Sequence, residues 1–312
     1  LRDDWPYHEP DDLEGIWAAC DPARPLGPIQ RLEPSEAAAR IETAFLARAC
    51  GCTLGKPFEV HPTLADIRAA LETVGEWPLS GYVSARTAKL LHENLGKTPP
   101  RDAESAVREG LRFVPPDDDL NYTILGMLVL ERHGAAFTRR DVLQLWLEHL
   151  PPLYTFGPER VMLARAASHT APFSREMPID ATLDDWLEVW NPNAELCGAM
   201  IRADAYAYAC PGHPALAAEF AWRDARLTHR RTGVYGAMFA AAAIATAFVV
   251  RDPLEVFRVA LGFVPQKSRL QTVLTESLET VWDASDCSRR MNGFMPATAH
   301  TVTVRSTRSP PR

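Results

Sequence analysis

The sequence predicts an all-α fold, a compact multi-helix globule, on three observations. Apolar residues recur at helical spacing in segment after segment, Gly and Pro separate these segments, and long alternating runs and hairpin dipeptides are scarce. With 46% hydrophobic residues over 312 positions the chain can fill a real core.

The elements follow in order. Residues 1–34 are rich in proline and acidic groups with little periodicity, and they predict an irregular N-terminal arm lying over the main body. The helical domain is expected over 35–290. Ser35 is a candidate N-cap, and Ile41, Phe45 and Ala49 mark a helix running to Gly51, followed by a turn through Pro57. A short helical pattern covers 64–74, and 79–116 is mixed, broken by Pro99, Pro100, Pro115 and Pro116. Leu120, Ile124, Met127, Leu128 and Leu130 predict a helix over 119–133 that stops at Gly134. Further helical patterns occupy 138–149, 158–168, 183–190, 214–228, 253–263 and 268–282. The stretch 234–250 is apolar nearly all round and predicts the central buried helix. Residues 291–312, rich in Thr, Ser, Pro and Arg, predict a disordered or divergent tail.

Charge narrows the function classes. Lys and Arg number 33 against 40 Asp and Glu, a net charge of -7, which disfavours an extended nucleic-acid surface and suits solubility and cation binding. No run of apolar residues is long enough to span a bilayer, and Leu1-Arg2-Asp3-Asp4-Trp5 has no apolar signal core, so a cytoplasmic protein without a membrane partner is expected. The six cysteines are too sparse for a disulfide framework, and Cys50-Gly51-Cys52 has no zinc-ligand spacing around it.

The sharpest local feature is Pro115-Pro116-Asp117-Asp118-Asp119, leading straight into the helix that carries Asn121, Tyr122 and Thr123. Two readings are open. The carboxylates cap the helix and answer its positive N-terminal end, or they form a hard-cation site, since Mg²⁺ takes oxygen ligands on a rigid support.

Several separated segments resemble the ADP-ribosylglycohydrolase family, over roughly residues 40–275. Ala44-Phe45-Leu46-Ala47-Arg48-Ala49-Cys50-Gly51-Cys52-Thr53-Leu54-Gly55-Lys56-Pro57-Phe58-Glu59 is similar to the family's opening motif, an apolar helix, a Leu-Gly turn and a glutamate. Asp117-Asp118-Asp119-Leu120-Asn121-Tyr122-Thr123-Ile124-Leu125-Gly126 resembles its first metal motif, and Gly198-Ala199-Met200-Ile201-Arg202-Ala203-Asp204 its central substrate loop. Arg223-Asp224-Ala225-Arg226-Leu227-Thr228-His229 with Gly233-Val234-Tyr235-Gly236 resembles the helix, histidine and glycine turn that line the ribose pocket.

The resemblance implies a compact all-helical hydrolase that uses a pair of Mg²⁺ or Mn²⁺ ions to remove ADP-ribose from a modified protein or small molecule. It implies Glu59, Asp118 and Asp119 as catalytic residues and Asp117, Asp118 and Asp119 as metal ligands. It further implies Gly126, Gly198, Arg202, Asp204, His229 and Tyr235 at the substrate. Taken without the motifs, Glu59 reads as a solvated loop charge, His229 as a polar core histidine, and Arg202 with Asp204 as an ion pair across a turn.

The departures carry weight. Leu120 stands where a coordinating threonine is usual, Cys52 replaces an aspartate common in other branches, and Asp117 stands where most members have threonine or serine. His300-Thr301-Val302 resembles the start of the segment before the family's C-terminal metal motif, but the chain then diverges, and Asp283 and Asp286 have the wrong spacing to replace that motif. The expectation is weakened metal binding, weak or absent hydrolysis and self-association through a poorly covered C-terminal face. The rivals are a fold-retaining ADP-ribose binder without catalysis and a helical interaction protein.

Overall fold

The structure, a computed structural model, describes residues 4–169 and 176–283. Among the described residues there are thirteen α-helices and no strand, so the all-α prediction holds. They are α1 (Leu13–Ala19), α2 (Pro34–Gly55), α3 (Leu64–Val74), α4 (Ala85–Leu95), α5 (Asp118–His133), α6 (Arg139–His149), α7 (Gly157–His169), α8 (Asp180–Glu188), α9 (Asp204–Tyr208), α10 (Pro214–Ala225), α11 (Thr232–Ala247), α12 (Pro253–Leu261) and α13 (Arg269–Asp283). The tail, its self-associating face, His300 to Val302 and Asp286 lie outside the described residues.

The central helix is α11, near the predicted 234–250, and it packs against α10, α12, α9, α13 and the 3₁₀ turn Cys197–Arg202. Val234, Met238, Ala241, Ala242 and Ala245 are fully enclosed. The alanine-rich sequence explains the close neighbours: small side chains let helices approach on all sides, so burial comes without bulk. Helix α5 packs on α6, α9 and α2, and this places its first turn at the edge of the core.

Three elements, α1, α4 and the start of α2, depart from the sequence reading. The arm contains α1, started by Asp12, whose carboxylate accepts from the Gly15 amide at 2.7 Å, and Ile16 is fully buried in the main core. Seven residues with one buried apolar position give no periodicity to read. Helix α4 was hidden in the mixed segment because Thr87 and His92 share its buried face with Ala88 and Leu91. It pairs with α3 around a small satellite core of Leu71, Val83, Ala88 and Val107, against which Phe58 packs. Helix α2 starts at Pro34, with Glu33 rather than Ser35 in the cap position, since proline at the first helical position fixes φ and has no amide to leave unpaired.

Candidate functional site

Pro115 and Pro116 cannot extend a helix backward, so α5 begins abruptly behind them and its first turn gathers three aspartates. None of them caps the helix through a side-chain hydrogen bond from the N-cap position, where Asp117 sits. Opposite lies the C-terminal end of α2, which runs through Gly55 into the 3₁₀ turn Lys56–Phe58 and then Glu59. His92 on α4 fixes this turn through Nε2, 2.9 Å from the Pro57 carbonyl oxygen.

Glu59, Asp117 and Asp119 each present one carboxylate oxygen, and these three atoms lie within 4.8 Å of one another. The expected neighbourhood of Glu59 and the aspartate run therefore forms, although some sixty positions separate them, and Asp117 rather than Asp118 completes the tight trio. Asp117 is 6% exposed, and its Oδ1 has no hydrogen-bond partner of good geometry, with the Asp118 carboxyl beside it. Two cations answer the cluster. Lys56 Nζ is 2.9 Å from Asp117 Oδ2 and 3.1 Å from Glu59 Oε2. Arg48 donates to Asp119 Oδ1 at 3.0 Å and to the Ile201 carbonyl, and its Nε is 3.5 Å from Asp204 Oδ2.

Four carboxylates against two cations leave a surplus of negative charge, and the titration directions show it. Burial, with the Asp117 hydrogen bond and the Asp117 and Asp119 charges, pushes Asp118 up to about 8. Burial raises Glu59 above its ordinary value despite Lys56, and the Asp117 and Asp119 charges add to the rise. Asp119 is likewise raised by burial against the pull of Arg48. Asp117 is held low in spite of burial, by Asp118 and Lys56. Partly buried oxygen donors with excess negative charge fit a hard divalent cation.

A cleft of about 380 Å³ is lined by two of the trio, Glu59 and Asp119, with Arg48, Gly51, Cys52, Gly55 and Phe58, while Asp117 is buried beside them. A Cβ added at Gly51 or Gly55 would meet nothing within 4 Å, so the missing side chains keep that wall of α2 open. A larger cleft of about 590 Å³ lies elsewhere, among Arg139, Asp184, Trp222, Arg223 and Arg226. Its charges are matched: Arg139 and Arg226 pair with Asp184, and Arg223 pairs with Glu219. The acidic cleft is the one with unmatched charge.

The residues expected at the substrate have other surroundings. Arg202 is 1% exposed and does not pair with Asp204. It donates to Asp224, to Glu159 at 2.8 Å, to Thr228 Oγ1 at 2.8 Å and to the Gly198 carbonyl, and its guanidinium lies 4.9 Å from the Trp146 ring centroid. Asp204 is buried, held by Arg48 and accepting from Tyr208 Oη at 3.3 Å. His229 is fully enclosed, with Nδ1 2.7 Å from Thr228 Oγ1. Arg202 donates to that same hydroxyl, and His229 Nε2 lies 3.7 Å from Glu159 Oε1 without a hydrogen-bond partner. Burial, then the Arg202 charge, holds His229 well below its ordinary value. Tyr235 is enclosed and donates to the Pro10 carbonyl.

Arg202, His229 and Tyr235, expected at the substrate, are enclosed: Arg202 and Tyr235 donate inside the protein, whereas His229 Nε2 is buried without a hydrogen-bond partner. Gly126 and Gly198 serve close packing, since an added Cβ would come within 2.8 Å of Ala205 Cβ and 2.3 Å of Glu159 Oε1 respectively. Sequence reading missed Arg48, Lys56, Glu159 and Asp224 as site-building residues. Arg48, Cys52 and Lys56 do repeat every four residues, the spacing of one helix face, and that signal was present.

No curated protein and no solved structure gives a match. The family model ADP-ribosylglycohydrolase matches residues 33–306, which takes in α2 through α13 with the whole acidic cleft. The chain belongs to the ADP-ribosylglycohydrolase family.

Proposed function

We propose that the acidic cleft is the metal-bearing centre of a cytoplasmic hydrolase that removes ADP-ribose by cleaving an N- or O-glycosidic bond, slowly by the standards of an intact binuclear site. The observation that carries this reading is the Glu59, Asp117 and Asp119 trio, three carboxylate oxygens within 4.8 Å beside an open cleft. Those residues would hold Mg²⁺ or Mn²⁺, with Asp118 beside them. The ion supplies charge that orients ribose hydroxyls and acidifies a water. Glu59 lines the cleft and is the general base through a carboxylate oxygen left free of the ion, taking the proton of the attacking water. The surplus carboxylate charge stabilises positive charge developing at the anomeric carbon.

A second reading, an ADP-ribose binder without turnover, is favoured by Leu120, buried where a hydroxyl ligand is usual, and by Lys56 among the carboxylates. Release of ADP-ribose from ADP-ribosylated arginine and serine peptides, with Mg²⁺ or Mn²⁺ added, separates the two. Turnover that is lost with chelator and with Glu59→Gln supports the hydrolase. Binding of ADP-ribose without release supports the binder, and neither rejects both.

A further inference from the structure

The trio already holds a cation, and it belongs to the chain. Lys56 Nζ sits 2.9 Å from Asp117 Oδ2 and 3.1 Å from Glu59 Oε2, with its side chain 11% exposed. We infer that the Lys56 ammonium is a tethered competitor for one cation position of the cleft, so that the protein takes up a single divalent ion and holds it weakly. This rests on the reading of the trio as a metal site.

Three observations carry the inference. The backbone under Lys56 is fixed: its amide donates to the Cys52 carbonyl at the end of α2, Pro57 follows, and His92 on α4 holds the Pro57 carbonyl at 2.9 Å. The ammonium is therefore delivered to one place, and only side-chain rotation withdraws it. The spacing also suits an ammonium. Lys56 Nζ is within hydrogen-bond distance of Asp117 Oδ2 and of Glu59 Oε2, so it bridges two of the three carboxylates where a shared cation would sit.

Charge gives the third. Lys56 meets Asp117 and Glu59, and Arg48 is shared between Asp119 and Asp204, so cations of the chain already touch every member of the trio and leave little for a second divalent ion.

The test is titration of the chelator-treated full chain with MnCl₂, followed by calorimetry and by electron paramagnetic resonance of the free ion. One Mn²⁺ per wild-type chain is expected. Lys56→Gln should bind Mn²⁺ at least about tenfold more tightly, because a unit charge a few ångströms away is removed. Lys56→Arg keeps the charge and should stay near wild type. Two Mn²⁺ per wild-type chain, or Lys56→Gln binding no tighter than wild type, overturns the inference. No uptake by any chain overturns it together with the metal half of the proposed function.

Melting with and without MnCl₂ covers the case of a poorly folded variant. Lys56→Gln leaves Asp117 buried without its cation, so it should melt lower than wild type in chelator and gain more on Mn²⁺ addition. An equal or smaller gain speaks against the inference. ADP-ribose release is read separately. If no release occurs while Mn²⁺ uptake follows the expected order, the hydrolase reading fails and the Lys56 competitor stands. Turnover with two bound ions does the reverse.

Discussion

Two clusters of carboxylates share this small core, and they are built in opposite ways. Around Arg202, the acids Glu159 and Asp224 are buried and fully engaged: one guanidinium reaches both, Tyr206 donates to Asp224 Oδ2 at 2.8 Å, and Thr228 links the set to His229. At the start of α5, Asp117 is buried but Asp118, Asp119 and Glu59 are only partly enclosed; the four outnumber their cations, and Glu59 and Asp119 open on a cleft. Both clusters contain residues that the sequence placed at the site: catalytic and metal-ligating ones in the half-open cluster, substrate-contacting ones around Arg202. The difference teaches that motif residues of one family can be left with unmatched charge at a cleft or be satisfied inside the core, and unmatched charge is the better pointer to a ligand.

The largest effect that can break this comparison is removal of the interior cation. Arg202→Leu leaves Glu159 and Asp224 buried without it and should cost roughly 3–5 kcal/mol in urea unfolding. Asp119→Asn, at the half-open cluster, should lie within about 1 kcal/mol of wild type while weakening Mn²⁺ binding. Equal stability of the two variants would erase the distinction. Tyr206→Phe is the next step down, since it strips one hydrogen bond from the buried Asp224 carboxylate and should cost about 1–3 kcal/mol.

One group in each cluster, Asp118 and His229, should respond to pH with opposite sign, in chelator-treated protein. Folding raises Asp118 from 3.8 to about 8, so between these values the folded chain binds more protons than the unfolded one, and stability falls as pH rises through the window. Folding lowers His229 well below 6.5, so below that value the unfolded chain binds more protons, and stability falls as pH drops. Urea midpoints measured across the range should lose the first slope in Asp118→Asn and the second in His229→Gln. The smallest expected effect concerns Val60, which follows Glu59 at φ 74° inside a three-residue turn closed by the His61 amide donating to the Glu59 carbonyl at 2.9 Å. A β-branched residue is strained there, so Val60→Gly should raise stability by at most about 1 kcal/mol after the entropy cost of glycine, read by the same unfolding assay.

Much of this was legible, and the gaps have physical reasons. The long periodic segments gave α5, α6, α7, α10, α11, α12 and α13 close to their bounds, because apolar spacing and Pro or Gly stops agreed. Helix α9 is five residues long inside a segment read as a loop, too short to show a period. At the site, Asp117 to Asp119 stood out as a run before an apolar helix, and the motif around Glu59 brought it alongside. The partners of Arg202 did not show, since Asp224 lies 22 positions away and Glu159 lies 43, and nothing local marks them as mates. Lys56 was in view as part of a motif, but only folding reveals that its ammonium lies between two carboxylates.

The central claim, that the half-open cluster is the cation centre and the buried one is scaffold, is tested most directly by an anomalous difference map from a crystal soaked in MnCl₂. The account predicts one strong peak at about 2.0–2.6 Å from oxygens of Glu59, Asp117 and Asp119, with the Lys56 ammonium displaced or at the edge of the site and no peak near Glu159 or Asp224. No peak at the trio, or a peak beside Arg202, would contradict it.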